Sequence, residues 1–209
     1  MKVVLISDTH GFQPQVPDGD ILIHAGDLTM RGTHGQVTEA GNWLNSLPHK
    51  YKVVIAGNHD WLFEKNLSEA KTLLGTDIIY LENSDITIEG IKIYGSPVQP
   101  RFFDWAFNVN RGDAIRHYWD MIPTDTDILV THGPPRQVLD QSNAKLHTEH
   151  CGCDDLFSAI ERIRPKIHVF GHIHGGYGKQ EMTFGTTCYN ASIVDEAYHV
   201  RNKPWVLEI

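Results

Sequence analysis

Five short apolar runs in this 209-residue sequence each end in a side chain able to hold a metal ion or move a proton. Val3–Ile6 is followed by Asp8-Thr9-His10, Ile21–Ala25 by Gly26-Asp27, and Val53–Ala56 by Gly57-Asn58-His59-Asp60. Ile128–Thr131 runs into His132-Gly133, and Ile167–Phe170 into Gly171-His172-Ile173-His174. A single Asp or His after a strand is an ordinary turn residue. Five in succession predict one shared site, because parallel strands of an open α/β sheet bring their carboxyl ends to one edge.

The donor set has its own chemistry. Asp8 and His10 are two residues apart, as are His172 and His174, so in extended chain each pair points the same way. Two Asp, one Asn and four His, with no Cys, suit Mn, Fe, Zn or Co and are too nitrogen-rich for a Ca or Mg site. Seven such side chains (Asp8, His10, Asp27, Asn58, His132, His172 and His174) exceed what one zinc ion takes. One carboxylate shared between two divalent ions roughly 3.5–4 Å apart would use them all, and such pairs activate water and clamp a phosphoryl group.

The elements that must hold these residues are short β-branched runs bounded by turn residues, alternating with amphipathic segments. The five runs above read as strands, with a hairpin at Glu89-Gly90 pairing Ile86–Ile88 with Ile91–Tyr94. Glu181–Phe184, Thr187–Asn190 and Trp205–Ile209 read as antiparallel strands. Apolar spacing predicts helices over Gln36–Ser46, Leu67–Leu74, Asp113–Trp119 and Asp154–Ile163. Continuous apolar strands imply cover on both faces. The expected fold is α/β: a four-layer αββα sandwich of two mixed sheets with helices on both outer faces, as one domain over residues 1–209.

Composition bounds the partners. The formal charge of −8 has no basic block, which argues against a nucleic-acid polymer or a membrane surface as partner. It leaves a small phosphate ester open, since bound cations reverse the local field. Three cysteines form no disulfide framework, and Cys151 and Cys153 read as thiols of a reducing compartment. No apolar run approaches the roughly 20 residues of a membrane span, and the N-terminus lacks a signal-peptide pattern, so the expected location is cytoplasmic. Of the 13 histidines, His24 and His168 lie inside apolar strands and read as core residues. His34, His49, His117, His147, His150 and His199 read as surface or loop positions, with His147 or His150 a candidate neighbour of the site.

The order D-x-H, GD, GNH[DE], H, GHxH resembles the calcineurin-like metallophosphoesterase superfamily. The stretches DGDILIHAGDLT, YKVVIAGNHD, YGSPVQPRFFDWAFN, DILVTHGPP and IHVFGHIHGGYG resemble the metallophosphoesterase-domain-containing (MPPED) proteins of animals and their bacterial relatives, over nearly the whole chain. The resemblance implies two divalent transition-metal ions, manganese first, with iron, zinc or cobalt as alternatives. It implies one ion on Asp8, His10, Asp27 and His174, and another on Asp27, Asn58, His132 and His172. It also implies a hydroxide held between the ions as nucleophile, Asn58 touching a phosphate oxygen, and His59 protonating the leaving oxygen. The expected substrates are small phosphodiesters such as cyclic nucleotides, with phosphomonoesters second. The rival reading is a nucleotide-binding protein of low activity, against which the histidine at position 172 argues.

Two segments bear on substrate binding. Protein serine/threonine phosphatases of this superfamily carry GDxVDRG, whereas this chain has Gly26-Asp27-Leu28-Thr29-Met30-Arg31-Gly32. Met30 stands where the Asp that orients the catalytic His would be, leaving Asp60 as a candidate substitute, and Arg31 stands where that branch binds phosphate. Residues 96–108 carry two prolines and show no helical or strand period, so they read as a loop. Its four aromatics within six residues make Trp105 and Phe107 candidates to stack on a substrate base, with Asn108 or Arg101 meeting its polar edge.

Overall fold

A computed structural model describes residues 1–142 and 150–209. Numbered in chain order, the first sheet holds β1 (Lys2–Ile6), β2 (Ile21–Ala25), β3 (Tyr51–Ile55) and β4 (Ile79–Tyr80), all parallel. The C-terminal β13 (Trp205–Glu208) runs antiparallel on the free edge of β1. The second sheet is built from β5 (Ser84–Ile88), β6 (Ile91–Ser96), β9 (Ile128–Thr131), β10 (Ile167–Phe170), β11 (Gly178–Glu181) and β12 (Thr187–Asn190). Its strand order is β11-β12-β10-β9-β6-β5. The helices are α1 (His34–Ser46), α2 (Trp61–Lys65), α3 (Leu67–Leu74), α4 (Asp113–Asp120) and α5 (Asp154–Ile163).

Strand alternation builds the layers. Val3, Leu5, Ile21, Ile23, Val53 and Ile55 turn toward Ile93, Ile128, Val130, Ile167 and Val169 of the second sheet, forming the central core. Their neighbours Val4, Ile6, Leu22 and Val54 face outward onto Val37, Ala40 and Leu44 of α1 and Ala70 and Leu74 of α3. Across the molecule, Tyr94 and Leu129 meet Ile115 and Trp119 of α4 and Leu156 and Ile160 of α5. The result is the expected αββα sandwich. Full burial on both faces is why the strands read as unbroken apolar runs.

The helix starts follow local chemistry. Thr33 caps α1 in a reciprocal box with Gln36, which begins the helix two residues before the expected start at Gln36. At the start of α5 the Cys153 thiol accepts from the Leu156 N–H, and the α5 bounds match the sequence pattern.

Four expectations are corrected. The strand placed at Glu181–Phe184 lies at Gly178–Glu181, because Met182 and Gly185 close a turn instead. The segment Thr187–Asn190 is antiparallel to β11 but parallel to β10, so its carboxyl end lies at the same sheet edge as the others. Residues 96–108 are not wholly loop: β7 (Gln99–Pro100) pairs in parallel with β8 (Asn108–Val109). His49 is buried rather than on the surface, its Nε2 3.0 Å from the Pro17 carbonyl. The short α2 and β4 carry too few residues to show a period and have no counterpart in the sequence reading.

Candidate metal centre

The five strand ends meet at one edge of the sandwich. β1, β2 and β3 deliver Asp8, His10, Asp27, Asn58 and His59, and β9 and β10 deliver His132, His172 and His174. Backbone bonds fix the seam: Asp8 N–H donates to Gly26 O (2.9 Å), His10 N–H to Asp27 O (3.0 Å) and Gly171 N–H to His132 O (2.9 Å). Two glycines let the chains approach this closely. A Cβ on Gly57 would collide with the Asp27 carboxylate, and one on Gly171 with that of Asp8. Asp8, His10, Asp27 and His172 all have positive φ, between 47° and 66°. Each such residue costs about 1–2 kcal/mol, and strain of this kind concentrates where a site over-determines the backbone.

Within the cluster the ligand atoms fall into overlapping groups: Asp8, His10 and His174; His10, Asp27 and His59; and Asp27, His132 and His172. Asp27 Oδ2 lies 3.8 Å from His10 Nε2 and 3.4 Å from His132 Nε2, between the two ends of the cluster. Asp8 Oδ1 is 3.4 Å from His174 Nε2, and Asn58 Oδ1 is 2.9 Å from His132 Nε2.

Backbone carbonyls set the imidazole tautomers. His132 Nδ1 donates to Ala25 O (3.0 Å) and His174 Nδ1 to Asp195 O (3.2 Å). Each turns its Nε2 toward the cluster, and in the neutral ring that atom offers the lone pair a metal-ligating histidine requires.

Electrostatics point the same way. Burial raises the Asp8 carboxyl, but the bond and charge of His174, with His132 and His10, hold it well below its ordinary range. Asp27 is likewise drawn down against burial, chiefly by His132. Burial pushes His132 down, yet the Asp27 carboxylate carries it up to about 9. Burial drives His172 down to about 3, so it is a neutral donor. Two buried carboxylates ringed by imidazoles make a donor set suited to a divalent cation, which would take the place of the protons that His132 and His174 share with them. The residues therefore fit divalent ions, which Asp8, His10 and His174 could hold at one end and Asn58, His132 and His172 at the other, with Asp27 between.

His59 sits apart in its bonding. Its Nδ1 donates to the Met30 carbonyl (2.8 Å) and its Nε2 lies 3.9 Å from Asp27 Oδ2. A main-chain carbonyl thus orients the ring at the position where a serine/threonine phosphatase has a carboxylate. Asp60 does not orient His59. Its Oδ2 accepts from the Leu28 (3.1 Å) and Gly57 (2.8 Å) N–H groups, and its Oδ1 from the Thr29 N–H (2.9 Å) and hydroxyl (2.7 Å). It clamps the Asp27 loop to the Asn58 loop. Burial and the Asp27 charge push its carboxyl up to about 6 against those four donors. Asp60→Asn puts an amide against backbone donors. It is expected to destabilise the fold by about 2–4 kcal/mol, the cost of one or two buried unpaired groups, read by urea unfolding.

The buried strand histidines are core residues, and each braces a loop that carries candidate ligands. Gly26 N–H donates to His24 Nδ1 (3.3 Å), so His24 Nε2–H reaches Thr9 Oγ1 (2.9 Å), between ligands Asp8 and His10. His168 Nε2 meets Thr131 Oγ1 (2.8 Å), whose hydroxyl donates to Gly133 O (2.8 Å), bracketing His132. His150 pairs with Asp140 (2.6 Å) rather than with the cluster, and His147 lies outside the described residues.

The substrate-binding candidates separate. Trp105 lies against His59, with ring centroids 4.3 Å apart and planes tilted by 30°. Phe107 belongs instead to the core cluster of Leu62, Phe63 and Tyr80, with 8% of its surface exposed. Asn108 uses its amide within the loop, donating to Phe102 O (3.2 Å) and Phe103 O (2.9 Å). Arg31 is exposed beside the Met30 carbonyl, and its own N–H donates to Gln36 (3.0 Å). Phe107→Ala should therefore cost about 3–5 kcal/mol of stability, as for other buried aromatics, and leave KM unchanged. Trp105→Ala should raise KM for an aromatic ester with little loss of stability, which paired urea titrations and kinetics would show.

Sequence reasoning missed Ser192, whose Oγ donates to Asp8 Oδ2 (2.7 Å), and Tyr198, whose ring centroid is 4.8 Å from that of His10. Both follow β12. Reading that strand as antiparallel hid the fact that its end shares the site edge.

A family model for calcineurin-like phosphoesterases matches residues 1–176. Metallophosphoesterase domain-containing protein 1 of Homo sapiens is 41% identical over 235 residues, covering 100% of this chain and 71% of the relative. A 3′,5′-cyclic-nucleotide phosphodiesterase of Nostoc sp. is 26% identical over 189 residues, covering 83% of this chain and 64% of that protein. The solved structure of TT1561 from Thermus thermophilus aligns with a TM-score of 0.60 at 13% identity, covering 90% of this chain and 88% of that one. The family model and the 41% identity to the human relative place the chain in the calcineurin-like phosphoesterase family, whose members are metal-dependent phosphoester hydrolases.

Proposed function

We propose that this protein hydrolyses small phosphodiesters, cyclic nucleotides foremost, at a two-metal centre. The observation that carries this reading is Asp27, whose Oδ2 lies within 4 Å of histidines from both ends of the cluster. Its backbone strain and the surrounding glycines serve that one placement. When bound, two divalent ions lower the pKa of water between them and polarise the phosphoryl oxygens; manganese is the favoured occupant, with iron, zinc or cobalt as alternatives.

The chain's own residues do the rest. Asp8, His10, Asp27 and His174 form one ligand set, and Asp27, Asn58, His132 and His172 the other. Asn58 offers its amide N–H to a phosphoryl oxygen while its Oδ1 faces His132. His59, held by Met30 O, presents Nε2 to the departing oxygen and supplies its proton. Trp105 covers one face of His59. Arg31, exposed beside this loop, is the proposed cationic contact to the ester.

The Nostoc relative's name supports the cyclic-nucleotide preference. The test loads the metal-free protein with manganese. It then compares aryl phosphodiesters, 2′,3′- and 3′,5′-cyclic nucleotides and phosphomonoesters, with chelator controls. Diester kcat/KM should exceed monoester kcat/KM and vanish with chelation. A monoester preference overturns the diesterase assignment, and nucleotide binding without metal-dependent turnover overturns hydrolysis itself.

A further inference from the structure

The chain leaving β12 folds into a tight turn over the cluster. Asp195 N–H donates to His199 O (2.9 Å) and Tyr198 N–H to Asp195 O (2.9 Å). The Asp195 carboxylate accepts from Ala197 and His199 N–H (2.9 Å each) and meets Arg201 Nε at 2.7 Å. The same residue's carbonyl takes the Nδ1–H of His174. One aspartate thus stitches the turn and anchors it to a cluster histidine.

The turn holds Tyr198 at φ 60°, a conformation that bulky side chains rarely adopt and that persists only when the surroundings over-determine it. It sets the phenol ring edge-on to three site histidines. Centroids are 4.8 Å from His10, 5.1 Å from His174 and 6.3 Å from His59. The residue is 37% exposed, so it also faces solvent. Among the described residues its hydroxyl has no hydrogen-bond partner, and it is near enough to Asp8 and Asp27 to feel their charge. The ion pairs of Asp8 and Asp27 among the described residues are all with histidines, none with lysine or arginine.

Resting on the functional reading above, we propose that Tyr198 is a substrate-contact residue whose phenol donates a hydrogen bond to a phosphoryl oxygen at the Asp8–His10–His174 end of the site. An uncharged donor there suits a phosphodiester, which carries one negative charge, better than a dianionic monoester.

The test uses the full chain loaded with manganese and compares wild type with Tyr198→Phe and Tyr198→Asn. Phenylalanine keeps the ring and removes the hydroxyl. Asparagine tolerates the left-handed backbone and removes the ring. Calorimetry with inorganic phosphate measures the contact without turnover, and kinetics with an aryl phosphodiester measure it in the reaction. Tyr198→Phe should keep the wild-type metal content and Tm, while phosphate Kd and diester KM rise about tenfold, the scale of a hydrogen bond to a charged group. Tyr198→Asn should lose at least as much. Wild-type phosphate affinity in Tyr198→Phe, or loss of metal or Tm in that variant, overturns the contact. Absence of turnover in the wild type would overturn the functional reading instead, with the phosphate comparison still deciding the role of Tyr198.

Discussion

Asp27→Asn is expected to strip the protein of its metal complement and abolish turnover. The substitution is nearly isosteric, so the backbone N–H of His59, which donates to Asp27 Oδ1 at 2.8 Å, keeps its acceptor. What disappears is the negative charge at Oδ2, the atom 3.8 Å from His10 Nε2 and 3.4 Å from His132 Nε2. A neutral amide cannot bridge two cations. It also presents N–H groups or a weak carbonyl donor where both imidazole lone pairs converge. Elemental analysis should show a fall from about two equivalents of metal to one or fewer, with turnover reduced beyond about 10³-fold. A full metal complement with intact activity would remove Asp27 from the bridging role. Loss of a single side chain at either end, such as His174→Ala, should weaken one ion more than the other.

His59→Ala is expected to leave metal content unchanged and slow the reaction by about 10²–10⁴ for esters with poor leaving groups. The reason is geometric. The ring is pinned through Nδ1 to Met30 O, 2.8 Å away, so the proton it can deliver is on Nε2. That atom is 3.9 Å from Asp27 Oδ2, beside the cluster, so the metal content of the variant separates a proton donor from a ligand. An alkoxide leaving group needs the proton, whereas an aryloxide does not. The loss should therefore shrink sharply for an aryl diester, and a plot of rate against leaving-group pKa should steepen in the variant. Equal losses across the series would mean that His59 positions the phosphoryl group instead. Loss of metal would make it a ligand.

Much of this site was legible in the sequence because strand ends obey a simple rule. Val3–Ile6, Ile21–Ala25, Val53–Ala56, Ile128–Thr131 and Ile167–Phe170 are short and apolar enough to read as buried strands, and each is followed within two residues by a candidate ligand. Parallel pairing then forces the ends together. The same reasoning failed in part at Thr187–Asn190, read as one of three antiparallel C-terminal strands and antiparallel only to β11. Its partner β10 runs parallel to it, which swings the following residues, Ser192 through Tyr198, back over the cluster. The aromatic loop failed differently. Trp105 and Phe107 are two residues apart and chemically alike. A positive φ of 57° at Phe107 accompanies its burial in the core, while Trp105 lies on His59.

By itself the sequence determined the five strands that end at the site, the four layers they imply and the identity of the seven candidate ligands, because hydrophobic period and donor chemistry are local properties. Tertiary structure alone decided which ligands share an end of the cluster and that Met30 lends a carbonyl to His59. It also decided that Asp60 clamps two loops and that Tyr198 stands beside His10. Those four facts depend on contacts between segments far apart in the chain, on left-handed residues held by their surroundings, and on the register of two sheets against each other. No local pattern encodes them, since each is fixed only when the central core has packed.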